Sequence, residues 1–495
     1  MLRKPLSWSV LLVLVFPAWL GQPAAAQAQP KGPISFINDV APIFKENCFA
    51  CHDAKKRKGK LDMTTYEAMR KGGDNEDPIA PGKPDDSNLM RLITSKRGDR
   101  MPPKEAGDPL PAEKIEIIKR WIAEGAKLDQ GIEVKADLAR ELRARWKPPA
   151  PPASYKFPVS ITALAFSPDS KKLVAGGQQE LTVWDVASGK LEKRIYTRAE
   201  RAYAMLFLPD GKLVVAGARP GQEGDVVVYD LNAKGKEEGG VTVLDGVNDK
   251  AVRIAKLLES DDSVLALALT KDGKKLASGG VDRLVHVWDI SGGVDKAKLE
   301  QKIENHADWV FGVAFSKDGK LLLTASRDKT AKVWDLEKKE SLLTFPGHQA
   351  PVYAVGISPD GKIGYSAGAD KQIRYWNVTG DQKNLGKQVR ASGGHGDEIF
   401  KMDVDGKDQT VASVSADKSV RLWNLGNGSA VKTMPGHTDW VYAVAFSPDG
   451  KYVASGAWNG ELKIWNVADG KPVAEWNASP GLQNVVNTPA GETKK

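Results

Sequence analysis

Residues 436–466 read GHTDWVYAVAFSPDGKYVASGAWNGELKIWN. Within them Val441–Phe446 alternates as a half-buried strand does, Asp449-Gly450 supplies a turn, and Trp465-Asn466 closes the unit. The same order recurs along the chain. A Trp or Tyr followed by Asp or Asn stands at Trp184, Tyr229, Trp288, Trp334, Trp376, Trp423 and Trp465, at intervals of 45, 59, 46, 42, 47 and 42 residues. Each unit carries an Asp-Gly-like turn, at Asp169-Ser170, Asp210-Gly211, Asp272-Gly273, Asp318-Gly319, Asp360-Gly361, Asp405-Gly406 and Asp449-Gly450. Four units open with Gly-His or Asn-His, at His306, His348, His395 and His437. Self-similarity at roughly 40–45 residues is the mark of one sheet-forming unit stacked against copies of itself. Residues 158–478 are therefore expected to form an all-β array of seven repeats.

A His, a Ser and an Asp in one unit also match the inventory of a nucleophilic triad. A triad occurs once, whereas this set recurs in register, so it reads as a buried structural network. The repeats resemble the WD40 family, and the resemblance implies a seven-bladed β-propeller. In it His306, Ser326, Asp328 and Trp334, and likewise His395, Ser415, Asp417 and Trp423, take the positions of the family's hydrogen-bond tetrad. The seventh repeat departs from this pattern, with Asn459 in place of the Asp, and the first three lack the opening His. His286, in the strand before Trp288, reads as a packed strand residue. The hairpin at 218–224 and the longer stretch after Tyr229 are where a distinctive binding surface is expected. Pro472-Val473-Ala474-Glu475-Trp476 is expected to return as the outer strand of the first repeat. No catalytic residue is assigned in the array. It contains no cysteine, Gly-rich phosphate loop or clustered metal-ligand motif, and reads as a platform for a protein partner.

Both cysteines of the chain lie ahead of the array, in Cys48-Phe49-Ala50-Cys51-His52. C-x-x-C-H is the attachment signature of c-type haem. Cysteines at i and i+3 of a turn face the same way and reach two vinyl groups of one porphyrin, while the His offers its imidazole to the iron. Besides a structural disulfide, the competing readings are a thioredoxin-like dithiol, which would want a βαβ context, and a zinc site, which would want two further ligands. Neither is found around these residues. Helices are expected around Phe36, Val40, Ile43 and Phe44, from about Asn88 to Ser95, and from Pro111 to Gly125, the last burying Ile115, Ile118, Trp121 and Ile122. The remaining histidines lie outside this module, so a sixth iron ligand would be a methionine: Met63, Met69, Met90 or Met101. Met101 is favoured, because Pro102-Pro103 stiffen the loop that presents it. The run Lys55-Lys56-Arg57-Lys58-Gly59-Lys60 reads either as a collar steering an acidic redox partner to the haem edge or as a solvated loop. The blocks 36–44, 100–103 and 121–126 together resemble the Planctomycete-type cytochrome C domain over about residues 34–130. That resemblance implies a periplasmic c-type cytochrome with one covalent haem.

The remaining segments set the context. In a chain of 495 residues, 27% charged and 41% hydrophobic, a net charge of +8 is too scattered to argue for nucleic acid. Residues 1–28 read as a secretory signal, with Arg3 and Lys4, an apolar stretch and Ala26-Gln27-Ala28 for cleavage; nothing later is apolar enough to span a bilayer. Residues 131–157 hold a helix and the spacer Pro148-Pro149-Ala150-Pro151-Pro152, and 479–495 form a polar tail expected to be flexible. The expectation is multidomain: a small all-α c-type cytochrome followed by an all-β propeller. The function expected is exported, periplasmic electron transfer through one covalently bound haem c, held by Cys48, Cys51, His52 and Met101. The alternatives are a haem-dependent oxidoreductase with its active site on the propeller and a haem-based sensor.

Overall fold

In the computed structural model the described residues are 32–482 except 382 and 408, so the stretch 1–28 expected to be a secretory signal and residues 483–495 of the expected tail lie outside them. The chain divides into two compact units, Met1–Trp146 and Lys147–Lys495.

The first unit is helical. A π turn over Phe36–Val40 leads into α1 (Ala41–Asn47), followed by α2 (Tyr66–Lys71), α3 (Asn88–Thr94), α4 (Ala112–Ala123) and α5 (Leu138–Arg145). Pro42 sits in the first turn of α1, where its missing N–H is not needed. On α4 the buried face is Ile117, Ile118, Trp121 and Ile122, with Ile115 only partly covered. Phe36 stacks on Trp121 at 5.0 Å and meets Tyr66 edge-on at 5.4 Å. Helix α2, which the sequence pattern did not reveal, is six residues long and is started by Thr65, whose hydroxyl accepts from the Ala68 amide. Helix α5 packs on the same core. Leu138 is fully buried in it, and its amide donates to Thr64 O at 2.9 Å.

The second unit is almost entirely β. Five sheets of four antiparallel strands each run consecutively from Val264–Leu269 to Pro472–Asn477. Ahead of them lies a nine-stranded sheet. In it one 17-residue strand, Leu191–Phe207, pairs through its first part with Gln178–Asp185 and through its second with Leu213–Arg219. The first two repeats therefore share a strand. The stretch after Tyr229 folds into a hairpin, Lys236–Glu238 with Val241–Asp245, whose second strand adds in parallel to Lys193–Tyr196. Leu244 is buried beneath it, so much of this insertion covers a sheet edge that would otherwise stand open.

Pro472–Asn477 does not complete the first repeat. It pairs with Glu461–Asn466 in the last sheet, while Leu191–Tyr196 takes the outer position of the first. A tight turn through Gly470 (φ +76°) joins the last two strands, and closing so short a loop costs less chain entropy than crossing to another sheet. The first and last sheets instead share a core, with Ile161, Leu164 and Phe166 packed among Ala443, Ala445 and Ile464.

Candidate functional site

The C-terminal end of α1 builds the first site. The Cys48 amide closes the helix on Phe44 O, and the Cys51 and His52 amides both return to Cys48 O, at 3.1 and 3.0 Å. One tight turn therefore carries Cys48, Cys51 and His52. Both cysteines are half-buried and unbridged. Burial, with the neighbouring Cys51, pushes the Cys48 thiol up to about 12, the opposite of what a reactive dithiol requires. Among the described residues no cluster of three His, Cys, Asp or Glu side chains is arranged to hold a metal ion. Burial lowers the pKa of His52, and its Nδ1 is buried without a hydrogen-bond partner. Two unbridged thiols and an unpartnered imidazole nitrogen on one turn fit a covalently attached, axially ligated haem.

The methionines separate by burial. Met63, Met69 and Met90 are 2%, 0% and 7% exposed within the core, whereas Met101 is 37% exposed. Met101 stands on the loop after α3, fixed by its amide to Leu92 O at 3.0 Å. The basic run that follows His52 is exposed. Lys60 pairs with Asp74 at 2.7 Å, and Lys56 Nζ donates to Ala50 O at 2.7 Å.

The repeat array holds the recurring networks, with one correction. His395 Nδ1 lies 2.8 Å from Asp417 Oδ2, and its Nε2 lies 2.7 Å from Ser413 Oγ, not Ser415. Trp423 Nε1 donates to the same Ser413 Oγ at 2.7 Å. Ser415 instead donates to Asp397 O. Likewise the hydroxyl between His306 and Trp334 is Thr324, not Ser326. His348, Ser366 and Trp376 form a third set. A carboxylate only accepts, so in the neutral imidazole Nδ1 carries the proton and Nε2 accepts from the serine. Burial pushes the Asp417 carboxyl up, but hydrogen bonds from His395 and Ser419 outweigh it and hold the group well below the usual range. In the seventh repeat the acid is Glu461, 3.2 Å from His437 Nδ1, and it compensates for Asn459. Burial opposes its ionisation, yet bonds from His437 and Thr438 bring it down to about 2. His286 stacks on Trp288 at 5.6 Å as a packed strand residue.

A feature the sequence reading missed lies at the start of the inner strands. The ladder breaks register once in each of six, at Ala202/Ala204, Val264/Ala266, Val310/Gly312, Val352/Ala354, Ile399/Lys401 and Val441/Ala443. The skipped residues are Tyr203, Leu265, Phe311, Tyr353, Phe400 and Tyr442. A bulge re-aims the side chain it carries. Four of these rings touch in sequence: Phe311 meets Tyr353 at 5.1 Å, Tyr353 meets Phe400 at 6.0 Å, and Phe400 stacks on Tyr442 at 4.3 Å. Trp309 joins at one end and Trp440 and Trp458 at the other, with Arg327 over Trp309 and Arg201 over Trp458. All are partly or fully exposed. The signal was an aromatic in second place after Val or Ile in four inner strands. Where the neighbouring inner strands carry Ala or Gly after the bulge, the sixth repeat carries Lys401, whose Nζ donates to Thr162 O at 2.8 Å and to Tyr203 O. Burial lowers its pKa to about 8.

Residues 48–105 match the family described as Planctomycete cytochrome C. Segments 153–185, 252–289, 297–335, 339–377, 386–424 and 428–466 match the WD domain, G-beta repeat. The chain joins a Planctomycete cytochrome C domain to WD40 repeats. The WD40 matches pass over residues 186–251, where Tyr229 replaces the tryptophan and the inserted hairpin lies. Among curated proteins the chain is similar to Transcription factor unc-37 of Caenorhabditis elegans, 28% identical over 131 residues, covering 26% of this chain and 18% of that protein. It is also similar to U3 small nucleolar RNA-associated protein 12 of Saccharomyces cerevisiae, 28% over 131 residues, covering 26% of this chain and 12% of that protein. Protein groucho of Drosophila melanogaster is 26% identical over 136 residues, covering 27% of this chain and 16% of that protein. The chain thus spans less than a fifth of each relative's length.

Proposed function

We propose that this protein is an exported monohaem c-type cytochrome that transfers electrons and uses a seven-bladed WD40 propeller as a docking scaffold for a protein partner. The observation that carries the reading is the α1 turn, with two unbridged thiols and an unpartnered His52 nitrogen. Cys48 and Cys51 would hold the porphyrin through thioethers, His52 the iron on the proximal side, and Met101 on the distal side. The bound haem supplies a one-electron couple, tuned by its axial ligands and its burial. Burial keeps the His52 imidazole neutral, the form that ligates. The exposed lysines beside the turn favour approach of an acidic partner to the haem edge. Half-buried Trp and Tyr side chains, with Trp440 exposed and Arg flanking, are of the kind that dominates protein interfaces, and they support the aromatic rim as the docking face. The signal segment suits this chemistry, because c-type haem is attached outside the cytoplasm.

The test is a denaturing gel stained for haem, followed by a redox titration. Wild-type protein should retain haem under denaturation, and Cys48→Ala or Cys51→Ala should weaken or abolish retention. Met101→Ala should remove the methionine-ligated low-spin spectrum and lower the potential. If Met63→Ala or Met90→Ala does so instead, the distal ligand is wrong. Capture of a periplasmic partner by the wild type and its loss with Phe400→Ala and Tyr442→Ala would support the rim; equal capture would refute it.

A further inference from the structure

Arg100 immediately precedes Met101 on the loop after α3. The loop fixes the guanidinium at one end only: Nη2 donates to Gly107 O at 3.0 Å. Nη1 is buried and meets no acceptor. Glu105 and Asp108 lie on the same loop but are exposed, and neither meets Nη1. The side chain as a whole is half-buried, but its Nη1 is a cationic donor held in place that meets no acceptor. Such groups are rare in native proteins unless a ligand or water meets them. A guanidinium N–H makes a charge-assisted hydrogen bond to a carboxylate oxygen, shorter and stronger than a neutral one.

Haem carries two propionate carboxylates besides its iron. The loop therefore presents two consecutive side chains that suit one ligand: the soft thioether of Met101 for the iron and the unspent N–H donors of Arg100 for a carboxylate. We infer that Arg100 anchors a haem propionate, with Nη1 donating to a carboxylate oxygen while Nη2 stays on Gly107. This rests on the reading of the Cys48–His52 turn as a haem-attachment site. The pairing would hold one edge of the haem to the loop that carries Met101. It also places a positive charge beside the haem, which favours the reduced state.

The experiment uses the full-length haem-loaded protein with Arg100→Gln and Arg100→Lys. Haem retained after denaturation is measured first. If the wild type retains none, the attachment reading fails, and this inference fails with it. With haem retained, the propionate bending mode in the resonance Raman spectrum reads the hydrogen bond directly. Arg100→Gln should shift that mode and lower the midpoint potential while leaving covalent attachment intact. Arg100→Lys, which keeps the charge but loses the fork, should restore most of the potential and still displace the mode. An unchanged mode and potential in haem-loaded Arg100→Gln would mean that Nη1 meets only water, and would overturn the inference. Should the glutamine variant fail to load haem, the lysine variant decides: an unmoved mode there refutes the anchor as well.

Discussion

Ser413→Ala tests the corrected network at its centre. The hydroxyl accepts from Trp423 Nε1 at 2.7 Å and lies 2.7 Å from His395 Nε2, with all three side chains buried. Removing it strands an indole N–H and an imidazole nitrogen in the core. Each buried polar group left without a partner costs about 1–3 kcal/mol, so the variant with two such groups should lose about 2–6 kcal/mol. At a few degrees or less per kcal/mol for a unit of this size, calorimetry should record a fall of roughly 4–12 °C in the melting point of the repeat array. The structure contains its own control. Ser278 stands at the same place relative to Trp288, but its Oγ is buried without a partner because that repeat lacks the opening His. Ser278→Ala removes an unsatisfied group and should be neutral to within about 0.5 kcal/mol, or stabilising. If the two variants cost the same, packing rather than hydrogen bonding holds these sites, and the argument fails.

Two further outcomes concern pH. Glu461 has its pKa lowered from 4.5 to about 2 in the folded protein, so its contribution is complete above about pH 4.5 and is lost as pH falls towards 2. With its side chain 25% exposed the loss should be about 1–2 kcal/mol, and Glu461→Gln should flatten that part of an acid-unfolding curve. Lys401 moves the other way. Its pKa falls from 10.5 to about 8, so the unfolded chain holds the extra proton between those values and stability rises with pH across that window. Urea midpoints at pH 7.5 and 10 should show the wild type gaining about 2–3 kcal/mol on Lys401→Met, and parallel curves would refute the assignment.

Much of this molecule is readable from its pattern. The recurring Trp-Asp and Asp-Gly pairs locate the repeats, and C-x-x-C-H locates the turn where two thiols and an imidazole meet. What the pattern hides follows from the period of a strand. Thr324 and Ser326 are two residues apart and so share a face, as do Ser413 and Ser415, and alternation cannot decide between them. The choice depends on which hydroxyl the histidine nitrogen reaches in three dimensions. Glu461 escapes for the same reason: it lies two residues beyond Asn459, and its extra methylene lets it do the work of an aspartate. The aromatic rim is invisible because a bulge breaks the alternation at each of its residues. Arg100 is visible in the sequence only as part of the block 100–103; that its Nη1 is left without an acceptor is not, since an exposed arginine and a stranded one are spelled alike.

The strand Leu191–Phe207 has a mechanical consequence. Most neighbouring repeats meet only through side chains, so a crack between them costs packing but no backbone ladder. The first two repeats share one strand, whose ladder bonds run into both, and cannot part there without breaking that ladder. The join between first and last sheets is the reverse, held by the shared core, a few bonds such as Ile161 N to Ala457 O, and Trp476 lying 5.5 Å from Trp184. Pulled from its ends, the array has a weld on one side of its opening repeat and a zip on the other. It should yield first at the zip, leaving the welded pair as the last sector to come undone.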